Sequence, residues 1–180
     1  MSWDLSIVHY LNHFTGAHLW ADNFIVFLAI YLPWLMVTAF LIWLGHGMAT
    51  HNRRWRVFIQ AVCAMAIARL GAIEGIHFFY ERPRPFLAEQ LNPLFVVNEW
   101  SFPSGHAALL SALSLTVYMY DKKWGIRFFV VTVIVVLARV VSGVHYLSDI
   151  AAGLVLGTVI AYIVHLIGLK IFRTRRRRRS

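Results

Sequence analysis

The chain carries a single cysteine, Cys63, among 180 residues. An intramolecular disulfide is impossible, so a disulfide-stapled secreted scaffold is excluded. Charge is also scarce. Asp, Glu, Lys and Arg make up 14% of the chain and only 8 residues are acidic, against roughly 25% charged residues in soluble domains. That shortage excludes a soluble globular domain and a disordered chain alike. No carboxylates are paired at metal-ligand spacing, so no metal site is expected. What the chain does hold is apolar: 59% hydrophobic residues, 15% aromatic ones and a mean hydropathy of +0.64. These proportions belong to a multi-span membrane protein. At this length residues 1–180 are expected to form a single membrane-embedded domain.

The runs give an all-α, polytopic membrane helix bundle. Five long spans are expected, at residues 23–45, 57–80, 104–120, 126–142 and 150–169. Pro33 lies within the first and should kink it. Residues 5–14 are too short and polar to span a bilayer easily; an interfacial helix is expected there, a sixth span being the alternative. The net charge of +9 could suggest nucleic acid, but its placement argues against that partner. Thirteen of the 17 basic residues sit at 53–56, at 122–127 and in the tail, including the basic stretch 173–180. All three segments fall on one side of the bundle, which the positive-inside rule makes cytoplasmic. The other side holds Asp22, Glu81, Glu89, Glu99 and Asp149, with only Arg82, Arg84 and Arg139 as cations.

Those three arginines have company. Arg82 and Arg84 alternate with Pro83 and Pro85, which hold the backbone extended. The same loop ends in Ser101-Phe102-Pro103-Ser104-Gly105-His106. Ser104 can cap the third span, and free amides at a helix start, beside a glycine, suit an anion. Arg139 ends the fourth span. His145 and Asp149 follow, four residues apart, and share a face if a helix starts there. Arginines and amides suit a phosphate, two histidines suit a nucleophile and a general acid, and the aspartate can set one imidazole's tautomer.

Arg84-Pro85, then Pro103-Ser104-Gly105-His106, then Arg139-x5-His145-x3-Asp149 resemble the three signature motifs of the type-2 phosphatidic acid phosphatase (PAP2) family of membrane lipid phosphatases. The resemblance covers Arg69 to Gly157, about half of the chain. The third motif usually opens Ser-Arg and here opens Ala138-Arg139. The first motif usually has a lysine six residues before Arg-Pro, and here that position is His77. His77 could still donate to phosphate, with Glu74 one turn earlier favouring its charged form. Arg82 is the other substitute.

The resemblance implies a metal-independent hydrolase that needs no cofactor. His145 would attack phosphorus to form a phosphohistidine and Asp149 would orient it. His106 would protonate the leaving oxygen and then activate water. Arg84, Arg139, Ser104 and Gly105, with His77 or Arg82, would hold phosphate oxygens. It further implies a likeness to bacterial undecaprenyl pyrophosphate phosphatases, working in the inner (cytoplasmic) membrane with the site outward and the C-terminus cytoplasmic. Phosphatidylglycerol phosphate and phosphatidic acid are competing substrates. A non-catalytic lipid-binding protein is the rival reading from another class, and a transporter is disfavoured because polar residues gather at one end of the spans. The Gly153-x3-Gly157 pair implies close helix packing with a neighbour from this chain or another.

Overall fold

The computed structural model describes residues 3–46, 51–88 and 91–177, with side chains as far as Ile171. Glu89, the end of the chain beyond residue 177 and the side chains of the basic tail lie outside the described residues. The described residues form helices and loops. A short α1 (Trp3–Asn12) precedes α2 (Leu19–His46) and α3 (His51–Phe79). A one-turn α4 (Pro85–Ala88) follows. Then come α5 (Gly105–Tyr118), α6 (Lys122–Val141) and α7 (Leu147–Arg177).

Four of these helices, α2, α3, α6 and the α7 stretch Leu147–Ile171, are long and apolar enough to cross a membrane. The expected third span is instead the 14-residue α5. Its surroundings account for its length. Helix α5 is enclosed by α3, α6 and α7 and faces protein rather than lipid along most of its surface, with Ala107, Ala108, Leu110, Ala112, Leu113 and Val117 fully buried. A helix at the centre of a bundle need not match the hydrocarbon thickness. Its hydroxyls are satisfied within the helix: Ser114 Oγ donates to Leu110 O (2.8 Å) and Thr116 Oγ1 to Ala112 O (2.8 Å). Outward-facing Leu19, Phe78 and Phe79 are 80% exposed or more, as lipid-contacting residues would be.

The Gly153–Gly157 pair packs within this chain, against the start of α5. A Cβ at Gly153 would lie 2.5 Å from Ser104 O, and one at Gly157 would lie 2.0 Å from Ala108 O. Absent side chains let two backbones approach, and this contact sets the height of the α5 N-terminus against α7.

Helix α1 packs into the bundle. Its Leu5 and Val8 are buried with Val136, Val140, Tyr146 and Ile150. Its last residue, Asn12, donates to Asn92 O and Val141 O, each at 3.2 Å. The α6–α7 turn beside it uses Gly143 at φ +74°, a left-handed conformation that other side chains resist.

Pro33 also acts locally. It has no N–H, so the carbonyl of Ala29 one turn earlier loses its helical donor. The backbone widens to a π-helical stretch at Phe27–Tyr31. A second such stretch, Ile67–Ile73, interrupts α3 and carries Arg69.

Gly157→Ala is expected to cost about 1–3 kcal/mol, because the backbone of α5 cannot retreat from the new methyl. Gly75→Ala, where a Cβ meets nothing within 4 Å, should gain up to about 1 kcal/mol. Thermal unfolding in detergent checks both; a neutral Gly157→Ala would refute the close packing.

Candidate active site

The neighbouring ends of α3, α5 and α6 and the loops beside them line a cavity of about 290 Å³. His106 and His145 line it, with Arg69, Arg84, Arg139, His77 and Gly105. Of the nine residues singled out from sequence, six therefore meet at one void: His77, Arg84, Gly105, His106, Arg139 and His145.

His145 is fully enclosed and its two ring nitrogens have different surroundings. Nδ1 lies 3.0 Å from Ser101 O and 3.5 Å from Asp149 Oδ2. A carbonyl only accepts, so Nδ1 carries the hydrogen and Nε2 holds the lone pair. Arg84 Nη1 lies 3.2 Å from that Nε2. Burial, and then the cations of Arg139 and Arg84, push this imidazole well below the ordinary histidine range. At neutral pH it is therefore an uncharged base facing the cavity.

Arg84 and Arg139 are 2% and 3% exposed, and both are anchored by backbone carbonyls. Arg84 donates from Nε to Glu99 O (2.6 Å), from Nη1 to Val144 O (2.7 Å) and from Nη2 to Trp100 O (3.3 Å). Burial lowers Arg84 to about 10, which leaves it cationic at neutral pH. Arg139 donates from Nη1 to Ala29 O (3.2 Å), the carbonyl that Pro33 frees, and its buried Nε has no hydrogen-bond partner among the described residues. Carbonyl dipoles orient these guanidinium groups without cancelling their charge, which suits them to an incoming anion.

His77 is 7% exposed and its Nε2 has no hydrogen-bond partner among the described residues. Glu74 does not serve it. That carboxylate is hydrogen-bonded to Arg69, whose other terminal nitrogen meets Glu99 at 2.8 Å.

Two residues expected at the phosphate do not line the cavity. Ser104 is fully buried; its Oγ accepts from Ala107 N at 3.5 Å and its own N–H donates to Asp149 O at 3.1 Å. It fixes the helix start that presents Gly105. Arg82 is drawn behind the site. Its Nη1 donates to Asp149 Oδ1 (2.6 Å) and Ser148 Oγ (2.7 Å), its Nη2 to Asp4 Oδ2 (3.0 Å), and its guanidinium lies 3.8 Å over the Tyr146 ring. Burial opposes its charge, but Asp149 and Asp4 outweigh that and raise Arg82 above its ordinary value.

Asp149 is thus the hub behind His145. Besides Arg82 it accepts from Ser101 Oγ (2.5 Å) and Tyr146 N (2.9 Å). Sequence reasoning missed Asp4, Ser101 and Ala29. Two of these act through main-chain oxygens, which no residue type announces. Asp4, the one acidic residue of an otherwise apolar and polar-neutral short helix, was a visible signal.

Residues 58–173 match the sequence model of the PAP2 superfamily. The bacitracin transport permease protein BcrC of Bacillus licheniformis is 30% identical over 166 residues, 89% of this chain and 78% of that protein. The undecaprenyl-diphosphatase of Sulfolobus acidocaldarius is 30% identical over 151 residues, 79% of this chain and 68% of that one. In fold, the chain is similar to the crystal structure of Aquifex aeolicus LpxE, with a TM-score of 0.73 at 21% identity, covering 91% of this chain and 95% of that one.

Asp4→Ala and Arg82→Ala are each expected to destabilise by about 1–3 kcal/mol, since each leaves a buried polar partner unmatched. Because they share one network, the double variant should lose little more than either single variant. Thermal midpoints in detergent give the cycle, and additive losses would disprove the coupling.

Proposed function

The chain belongs to the PAP2 superfamily, and from that premise we propose that it converts a polyprenyl diphosphate, undecaprenyl pyrophosphate in kind, to the monophosphate and inorganic phosphate through a phosphohistidine on His145. It is a multi-pass membrane protein and a hydrolase acting on phosphorylated lipids. The finer assignment rests on one observation above all: a neutral His145 whose Nε2 lone pair faces a cavity also lined by His106, Arg84 and Arg139.

In this reading His145 Nε2 attacks the terminal phosphorus. A P–N bond forms, the bond to the bridging oxygen breaks, and its electron pair leaves with the lipid monophosphate. His106 gives that oxygen a proton. His106 then takes a proton from water, which attacks phosphorus; the P–N bond breaks and phosphate departs. Arg84, Arg139 and the Gly105 amide hold the equatorial oxygens, with His77 Nε2 as a further donor. Asp149, tied to Arg82 and Ser101, favours the charge that grows on His145. Catalysis here is positioning and charge stabilisation, as phosphoryl transfer requires, and it needs no metal or cofactor.

The proposed setting is the inner membrane of a bacterium, with α5 completing a fifth crossing at the bundle centre. The basic 51–56 and 122–127 segments then share the cytoplasmic side with the C-terminal tail, as the positive-inside rule favours, and the cavity faces outward. The whole of 1–180 acts as one phosphatase domain.

The test is phosphate release by detergent-purified protein, with chelator present. Undecaprenyl pyrophosphate, phosphatidylglycerol phosphate and phosphatidic acid are offered in parallel. The expected result is preference for the diphosphate and a loss of at least about 1,000-fold in His145→Ala. Preference for either glycerolipid refutes the substrate, and persistent turnover in the variant refutes the nucleophile. The pH profile offers a second check. His145 must be neutral to attack and its value lies below the usual histidine range, so kcat/KM should persist as pH falls through about 6.5. An acid limb centred there that disappears in no His106 variant would contradict the assignment.

A further inference from the structure

Arg69 differs from the other two cavity arginines in place and in partners. It sits on the π-helical stretch Ile67–Ile73 of α3, eight residues before His77. Eight residues of regular α-helix overshoot two turns by about 80°; the wider π turns subtract from that and bring Arg69 round to the cavity face that His77 occupies. Its side chain then lies across the start of α5. A Cβ at Gly105 would come within 2.8 Å of Arg69 Nε and 2.9 Å of its Cδ. The glycine beside His106 is what admits this guanidinium.

Arg84 and Arg139 are deep and held by carbonyls. Arg69 is at the mouth, with a side chain 22% exposed, and two carboxylates occupy it: Glu74 on Nη1 and Glu99 on Nη2. Those carboxylates are themselves 51% and 56% exposed. Ion pairs this open to water hold about 0–1 kcal/mol, so a phosphate that offers bidentate oxygens can displace them. The two glutamates stand where phosphate oxygens would sit, next to the histidine that serves the leaving group.

We infer that Arg69, laid over Gly105, is the subsite for the second phosphate of a diphosphate, the one that leaves with the lipid. The inference rests on the diphosphatase reading above. When the bridging P–O bond breaks, a diphosphate sheds a phosphate whose negative charge grows, whereas a monophosphate ester sheds an alcohol. A cation on the leaving side therefore favours the first reaction over the second. Arg69 is a specificity-determining residue, and it supplies from α3 a cation that the first motif lacks at His77.

Farnesyl diphosphate and farnesyl monophosphate, equal in tail and different by one phosphate, are the probes, with the full-length protein in detergent. In Arg69→Gln the ratio of kcat/KM for diphosphate to that for monophosphate should fall about 100-fold, with part of it restored in Arg69→Lys. An equal fall on both probes, or no fall on either, overturns the inference. Should Arg69→Gln not fold, Glu99→Gln decides: it frees one side of Arg69, and the same ratio should rise about threefold. A ratio that stays or falls overturns the inference. A wild-type protein that cleaves the monophosphate but not the diphosphate overturns the reading beneath it, an outcome seen before any variant is made.

Discussion

Two guanidinium groups, Arg84 and Arg139, are buried at one end of an apolar bundle, and among the described residues no carboxylate is bonded to either. Burying a charge costs several kcal/mol unless its hydrogen bonds are met; main-chain oxygens take all three nitrogens of Arg84 and one of Arg139. Much of the local architecture follows from that need. Pro33 frees the Ala29 carbonyl for Arg139. The loop before α5 passes close enough for Glu99 and Trp100 to offer theirs to Arg84, and the turn before α7 adds that of Val144. Burial, and then this uncancelled charge, keeps His145 neutral. One constraint thus yields both the cationic lining of the cavity and the protonation state of His145.

The carboxylates are kept behind the site or at its mouth. Asp149 and Asp4 are turned toward Arg82 and Ser148, on the far side of His145 from the cavity. Glu74 and Glu99 sit at the rim on Arg69. This sorting leaves the cavity lining cationic in an apolar chain with few acids. It also gives the N-terminal helix a task, since Asp4 ties α1 to the segment that carries His145 and Asp149.

Packing sets the heights. Helix α5 is short because it is surrounded, and Gly153 and Gly157 let α7 lie against its first turns. His106, in the first turn of α5, lines the same cavity as His145. Chemistry at one end of the bundle therefore depends on close helix packing several residues deeper, where no polar group is involved.

Residue types and their order by themselves determined the membrane class and the histidines and arginines that meet at one end of the bundle. Apolar run length and charge asymmetry are local properties, and the motif spacing delivers residues to known ends of helices. Tertiary structure alone decided that α5 is enclosed and short, that Ser104 and Arg82 do not line the cavity, that Glu74 serves Arg69 instead of His77, and that Ser101 O fixes the tautomer of His145. The reason is physical. These roles depend on which hydrogen-bond partner lies nearest once distant segments meet, and several of those partners are backbone carbonyls, which every residue carries and no sequence pattern marks.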